Sequence, residues 1–479
     1  MTAQEITVHE SGIDGLLFVD LPVHGDNRGW FKENWQRAKA VAAGLPDASF
    51  VQQNISFNGT RGTTRGIHAE PWDKYVSVAT GRIFGAWVDL REGPGFGTVV
   101  TREITPATAV FVPRGVGNAF QTLEDATAYA YLVTDHWRAD AGDEYSFVNL
   151  GDPHLGIEWP VPLADAELSA KDRAHPPLDD VAPLPPAPVL VLGARGQVGL
   201  ALTALLTETG VPFTAWTRDE LDLADPASWP DEVRSGGGLR RYRAVVNAAA
   251  FTAVDAAETD EGREEAWAVN ASGVAALAAA CSRAGVTLVH LSTDYVLDGA
   301  LPLGSSYEPD SPVAPVSVYG QSKAAGEMAV RTCSRHYVVR TSWVIGEGKN
   351  FVATMARLAE QGVDPTVVDD QHGRLTGAAD LAAGILHLLD TRAPYGTYHL
   401  TGSGEPCTWA DVARWVFEDL GHDPDRVTPV STAEYTAGRA PGAPRPVNSV
   451  LDISAVLNAG FTPQDSRAVA RQGAAAFGD

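Results

Sequence analysis

LPPAPVLVLGARGQVG, residues 184–199, changes character halfway along. Three prolines lead into four apolar residues, Val189 to Leu192, and then into glycines at 193, 196 and 199. The next segment, QVGLALTALLTETG (197–210), has helical periodicity. The order reads as strand, tight turn, helix. Glycine lets the backbone turn sharply and approach a pyrophosphate, which then rests on the helix N-terminus. An ordinary strand–helix turn has the same spacing. The flanking strand and helix favour nucleotide binding.

Strands and helices alternate downstream. RAVVNAAA (243–250), VTLVHLSTD (286–294) and YVVRTSW (337–343) read as strands. The segment 262–284 and the one from Tyr319 to about Ser334 read as helices. This rhythm predicts an α/β Rossmann-type doubly wound parallel sheet over residues 189–479.

Upstream, strand signals dominate. KYVSVATGRIFGAWVDLR (74–91) holds two alternating runs about Thr80-Gly81 and predicts a hairpin. GTVVTREI, ATAVFVPRG and TAYAYLVTDHW follow at short intervals, and helical periodicity is brief, near WQRAKAVAAGL (35–45). Many short strands without intervening helices predict an all-β jelly roll over residues 1–178. PPLDDVAPLPPAP (176–188) carries six prolines, and residues 179–188 are expected to be an extended linker.

The chain has 479 residues, room for two cores, and a net charge of −24. Such a field repels phosphate backbones, so nucleic acid is not an expected partner. Three cysteines without a CxxC pair argue against a disulfide framework or a thiolate zinc site. The polar start, MTAQEITVHESG, lacks the build of a signal peptide, and no apolar run is long enough for a membrane span. A cytoplasmic protein without a membrane partner is expected.

In YGQSK (319–323), Tyr319 and Lys323 share a helical face. A neighbouring ammonium favours phenolate and would lower the Tyr pKa, which suits proton transfer to a carbonyl oxygen during hydride addition. Ser292, Thr293 and Asp294 end a predicted strand, where open sheets of this type bind ligands. Two surface residues would show the same Tyr–Lys spacing. With the glycines and the strand end, the set resembles an extended short-chain dehydrogenase/reductase. NAAAFTAVDAAE (247–258), STDYVLDG, VYGQSKAAGE, RTSWV (340–344), DDQHGRLTG (369–377) and PRPVNS (444–449) are similar to the dTDP-4-dehydrorhamnose reductase family.

That resemblance implies reduction of the C4 ketone of a dTDP-4-keto-6-deoxy sugar and a small C-terminal substrate-binding subdomain. It implies Thr293, Tyr319 and Lys323 as the catalytic set with Asp294 beside it, and substrate contacts at Trp343, Asn350 and Arg445. It implies cofactor contacts at Gly193, Gly196, Gln197, Val198, Gly199, Asp222, Ala248 and Ala249, with Tyr319 and Lys323. Arg218 precedes Asp219 and Glu220 where the ribose is read, so NADPH is expected, with NADH the alternative. Arg374-Leu375 stand before Thr376 where the family often has Ala-Pro.

TTRGIHAE (63–70) places His68 on a likely strand, and His is well suited to proton abstraction near neutral pH. Alone it is more often structural. GDNRGWFKEN (25–34), FVQQNIS (50–56), VPRGVGNAF (112–120) and GIEWP (156–160) stand around it. Together they resemble the cupin-like dTDP-4-dehydrorhamnose 3,5-epimerases over about residues 12–178. The resemblance implies His68 as general base, Asp172 as its orienting carboxylate, Tyr131 as acid and Lys74 at the enolate oxygen. It places Arg28, Glu33, Gln52, Asn54 and Arg65 on the nucleotide and sugar, and implies a homodimer through this domain. The family's GFAHGF is VGNAF here, so Asn118 replaces a second histidine and would donate one hydrogen bond to an oxyanion. Ala69-Glu70 replace Tyr-Gln, and the stretch to Lys74 is shorter.

His68 and Glu70 alternate onto one strand face and could ligate a metal, but no His-x-His accompanies them, so no metal is expected. The leading expectation is a bifunctional enzyme of dTDP-L-rhamnose biosynthesis, in which the epimerised ketone is the reductase substrate. The alternatives are a reductase fused to a degenerate or single-position epimerase acting as a sugar-nucleotide-binding module, and a non-catalytic regulatory second domain.

Overall fold

The computed structural model describes residues 6–136, 145–438 and 442–478. Residues 1–5 of the polar start and Trp137 of the last predicted N-terminal strand lie outside them. Contacts divide the chain into two units, Met1–Pro186 and Ala187–Asp479. No helix among the described residues is long and apolar enough to cross a membrane.

The first unit is a sandwich of two antiparallel sheets. One runs Thr7–Glu10, Leu17–Asp20, Thr108–Val112, Lys74–Thr80, Thr127–Val133, Gln52–Asn58, and the other Ser146–Phe147, Thr64–Ala69, Val116–Thr122, Ile83–Asp89, Val99–Ile104. Side chains from both inner faces, among them Phe18, Val76, Trp87, Phe120 and Tyr129, form its core. This is the cupin-like jelly roll. The hairpin expected about Thr80-Gly81 does not form. Lys74–Thr80 pairs with Thr108–Val112 and Thr127–Val133, whereas Ile83–Asp89 pairs with strands of the opposite sheet. Alternation looks the same whether two strands pair or face one another across a sandwich. The near-continuous burial of both segments reflects two neighbours for each.

The expected linker is largely part of this unit. Leu184 N–H donates to the Leu90 carbonyl at 2.7 Å, and Glu92 N–H donates to the Leu184 carbonyl at 2.9 Å. Apolar residues set between prolines in an extended backbone can pair along a sheet margin, and the contact boundary falls at Pro186, within the expected linker.

The second unit is built on a six-stranded parallel sheet, ordered Phe213–Trp216, Val189–Leu192, Ala244–Asn247, Thr287–Thr293, His336–Thr341, Gly396–His399. The order reverses between Val189–Leu192 and Ala244–Asn247, so a crevice opens beyond their carboxyl ends. Apolar clusters cover both faces. A third cluster, with Val352, Met355, Leu375, Val416, Phe417 and Ala470, forms the small C-terminal subdomain. The helix predicted over 262–284 is interrupted. Asp260–Trp267 and Val274–Ala284 are α-helical, and Ala268–Gly273 between them is a π turn.

Candidate active sites

A cavity of about 450 Å³ lies at the sheet's switch point, lined by Gly193, Gly196, Arg218, Asp222, Ala248 and Ala249 among others. Gly193 has φ +76°, and a Cβ there would stand 2.6 Å from the Ala249 nitrogen. A Cβ on Gly199 would stand 2.2 Å from the Gly193 carbonyl oxygen, so turn and helix touch backbone to backbone. Gly196 caps the helix Gln197–Glu208 without a side chain, leaving its first N–H groups to the crevice. Gln197, Val198 and Gly199 do not line the cavity. Gln197 donates to the Lys349 carbonyl at 3.3 Å, Val198 packs into the core, and Gly199 serves close packing. Arg195, Thr217, Asp219, Phe251, Thr252 and Glu265 also line it, and none of them was named as a cofactor contact. Arg218 Nε donates to Asp222 Oδ2 at 3.1 Å, and Arg195 lies 3.5 Å from Asp219. Both guanidiniums stay largely open to solvent, at 67% and 79% exposure.

Beyond the cavity wall stand Thr293, Tyr319 and Lys323. Thr293 closes the central strand, and Ser317 caps the helix Val318–Val330 that carries the other two. Phe251 lines the cavity and packs in the cluster that contains Tyr319. The Tyr319 side chain hydrogen-bonds Thr293, whose Oγ1 donates to Asp294 Oδ1 at 2.8 Å. Lys323 Nζ donates to the Leu291 carbonyl at 2.6 Å and lies 3.4 Å from His290 Nε2.

The expected lowering of the Tyr319 pKa is absent. Burial first, then the Asp294 carboxyl, raise it, while the Thr293 hydrogen bond opposes them. Burial also pushes Lys323 down to about 8, so its ammonium is itself strained by desolvation and offers less to its neighbour. Burial lifts Asp294 to about 6, against hydrogen bonds from Ser449 and Thr293.

The three expected sugar contacts differ. Arg445 reaches Asp255 at 2.9 Å and also bonds Tyr295, whose ring stands edge-on to Tyr319 at 5.7 Å. Trp343, at φ +46°, stacks on Trp409 at 3.9 Å and is half-buried. Asn350 is committed to its helix, accepting from Ala353 N–H at 2.9 Å and donating to the Gly346 carbonyl at 2.7 Å. A cap before an apolar run was legible in NFVATMARL and was read as a ligand contact instead.

In the first unit, His68 Nε2 donates to Asp172 Oδ1 at 2.9 Å. Asp172 sits on the short helix Ala170–Arg173, where Ser169 Oγ accepts from its N–H at 3.0 Å. Hydrogen bonds from His68 and Ser169 outweigh burial and hold the Asp172 carboxyl below its ordinary range. Lys74 pairs with Glu70 and lies 5.7 Å from the centre of the Tyr131 ring. Glu70 is thus a counter-ion to Lys74. Burial and Glu70 raise Tyr131, which keeps its proton available. Arg65 Nε donates to Asn58 at 3.0 Å, and Gln52 donates to Asn54 at 2.9 Å. Arg28 pairs with Asp26 on an exposed hairpin, and Glu33 pairs with Lys39.

Asn118 faces His68 in the strand register, but its amide is turned to the core. Its Oδ1 accepts from Trp87 Nε1 at 3.0 Å and its Nδ2 donates to the Tyr129 hydroxyl at 3.0 Å. It is not aimed as the expected oxyanion donor, because an amide in this interior must satisfy both ends. A histidine that sequence reading passed over, His175, stands against His68 instead, their rings 5.3 Å apart.

Residues 10–180 match the family described as dTDP-4-dehydrorhamnose 3,5-epimerase, and residues 187–474 match that described as RmlD substrate binding domain. A Protein RmlC homolog of Streptococcus pyogenes is 52% identical over 179 residues, 36% of this chain and 90% of that protein. A dTDP-4-dehydrorhamnose reductase of Streptomyces griseus is 43% identical over 290 residues, 59% of this chain and 91% of its own. The solved dTDP-4-dehydrorhamnose reductase of Bacillus anthracis in complex with NADP shares 34% identity at a TM-score of 0.54, covering 61% of this chain and 98% of that one. The chain therefore belongs to the RmlD substrate binding domain family through its second unit and to the dTDP-4-dehydrorhamnose 3,5-epimerase family through its first.

Proposed function

We propose that the chain performs two consecutive steps of dTDP-L-rhamnose formation: 3,5-epimerisation of dTDP-4-dehydro-6-deoxyglucose, then NADPH-dependent reduction of the C4 ketone. The observation that carries this reading is the presence in one chain of a His68–Asp172 pair in a jelly roll and a Thr293–Tyr319–Lys323 group beside a glycine-turn cavity.

In the first unit the C4 ketone acidifies the hydrogens at C3 and C5. His68 gives one ring proton to Asp172 as a hydrogen bond, so its other nitrogen is free to accept a proton from carbon. Asp172 then stabilises the imidazolium. Lys74 and Arg65 supply positive charge to the enolate oxygen, and Tyr131, held protonated by burial, returns a proton. Gln52, Asn54, Arg28 and Glu33 bind the nucleotide and sugar.

In the second unit the residues present fit a dinucleotide. Side chains at Gly193 and Gly199 would collide with backbone, the helix N-terminus is open, and two exposed arginines stand at the mouth. NADPH, when bound, supplies the hydride. Arg218 and Arg195 suit its 2′-phosphate, and the relative from Bacillus anthracis was solved with NADP. Tyr319 gives its proton to the C4 oxygen, Thr293 orients that oxygen, and Lys323, with a pKa near 8, restores the Tyr proton. Arg445 holds the substrate beside Tyr295.

The three cysteines are free and buried, which suits a reducing cytoplasm. A homodimer through the first unit is supported by the edge strand Gln52–Asn58, where Ile55 and Phe57 are 68% and 66% exposed. Sedimentation equilibrium tests it.

The function is tested in D₂O with dTDP-4-keto-6-deoxyglucose, with and without NADPH. Deuterium should enter C3 and C5 without NADPH, and NADPH should be consumed to give the 6-deoxy-L-sugar. His68→Asn should slow exchange by about 10²–10⁴-fold and still reduce a pre-epimerised ketone. Near-normal exchange in that variant would make His68 structural.

A further inference from the structure

We propose that His68, Asp172 and His175 form a binding site for one divalent transition-metal ion of the zinc class, and that its occupancy blocks epimerisation. The inhibitory half rests on the function proposed above; the binding half does not.

One ligand atom from each of the three residues lies within 4.8 Å of the others, the only such group of histidine, cysteine and carboxylate among the described residues. Asp172 Oδ1 is 2.9 Å from His68 Nε2 and 3.8 Å from His175 Nε2. Donors about 2.0–2.1 Å from a tetrahedral zinc are separated by roughly 3.3 Å, so these two spacings bracket what an ion needs. Two imidazoles and a carboxylate are a common donor set for such ions, and they leave the fourth position open.

His175 makes the case. Its side chain is 5% exposed, and apart from a contact to the Gly66 backbone that falls outside ordinary hydrogen-bond geometry, neither ring nitrogen has a hydrogen-bonding partner. Buried imidazole nitrogens are seldom left so. A proton relay through His175 to Asp172 would need a shorter approach than 3.8 Å, whereas an ion between them would satisfy both. The ring is held in place, stacked on Phe147 at 4.9 Å, and Asn149 Nδ2 donates to the carbonyls of Arg173 and His175. His68 lies on the strand Thr64–Ala69 and retains 33% exposure, which gives an ion its path in. Binding releases the proton that His68 Nε2 shares with Asp172 and fixes both residues on the metal. The carboxylate can then no longer stabilise an imidazolium, and the base is lost.

The test uses the full chain after chelator treatment. Co²⁺ should bind with one equivalent showing the strong visible absorption of a low-coordinate site, and Zn²⁺ should displace it. His175→Gln and, separately, Asp172→Asn should each abolish that absorption. Zn²⁺ should stop deuterium exchange at C3 and C5 and leave reduction of a pre-epimerised ketone intact, with a chelator restoring exchange. In His175→Gln, which keeps the His68–Asp172 pair, exchange should persist and the Zn²⁺ concentration for half-inhibition should rise by at least about tenfold, as expected when one of three ligands is lost. Absence of the Co²⁺ signal, or a signal that survives both substitutions, overturns the site. Metal binding with exchange untouched by Zn²⁺ overturns its inhibitory role, and a metal-free chain without exchange counts against the epimerase reading alone.

Discussion

Replacing Asp294 by Asn should stabilise the second unit while slowing its chemistry. Asp294 is wholly buried at the end of the central strand, and burial lifts its carboxyl from 3.8 to about 6. The unfolded chain ionises it near the lower value, so the folded state binds more protons between the two. Stability is therefore complete below about pH 4 and is lost as pH rises through about 6. The loss amounts to about 3 kcal/mol by pH 8, and about half of that at pH 5. Asn keeps an oxygen for the Thr293 hydroxyl and has no charge to desolvate. For a unit of about 290 residues, 3 kcal/mol corresponds to a Tm increase of about 5 °C. Calorimetry at both pH values checks this, with NADPH added to identify the second unit's transition by its upward shift. The Asn variant should melt about 5 °C higher at pH 8 and about half as much higher at pH 5. An equal gain at both pH values, or a loss at pH 8, would refute the claim that Asp294 is held ionised at a cost.

Tyr319→Phe should reduce NADPH oxidation by about 10²–10⁴-fold and leave deuterium exchange at C3 and C5 unchanged. Loss of exchange in a folded variant would place both reactions in one site. Arg218→Ala should raise KM for NADPH roughly fivefold and leave that for NADH nearly unchanged, the effect of about 1 kcal/mol for one exposed charge contact. Equal effects would remove Arg218 from the 2′-phosphate. Glu327 accepts from buried Arg340 at 2.9 and 2.8 Å, so Glu327→Gln should lower the second unit's stability by about 3–5 kcal/mol in urea unfolding. A change under 1 kcal/mol would show that the pair is readily replaced.

The glycine turn and its flanking strand were legible in the sequence because backbone geometry there admits few residues. The His68–Asp172 pair, 104 residues apart in sequence, was not readable from local pattern and came from resemblance to a family. Lys74–Thr80 and Ile83–Asp89 were recognised as strands but not as members of opposite sheets, since alternation reports a face and not a partner. The Tyr319 shift was misjudged because spacing reveals the neighbouring Lys323 and says nothing of how deeply both are buried. His175 sat unread in a proline-flanked stretch, where only the fold brings it against His68.

The π turn at Ala268–Gly273 has the arithmetic of an insertion. Such a turn holds one more residue than the α-helix around it, as if a codon had been added to a helix of ordinary period. That extra residue sets the phase of Asn270. Its amide accepts from Phe251 N–H at 2.9 Å, donates to the Phe251 carbonyl at 3.0 Å, and donates to Ser322 at 3.1 Å, next to Lys323. One side chain thus ties a wall of the cavity to the helix of Tyr319. Deleting one residue within the turn would restore the α period and swing Asn270 about 100° around the axis, since each residue of an α-helix turns through that angle. Every glycine of the cofactor turn and every residue of the Thr293–Tyr319–Lys323 group would remain, while the register between them would be broken. In-frame loss of a single codon here is thus expected to act like a catalytic mutation, although it touches no catalytic residue.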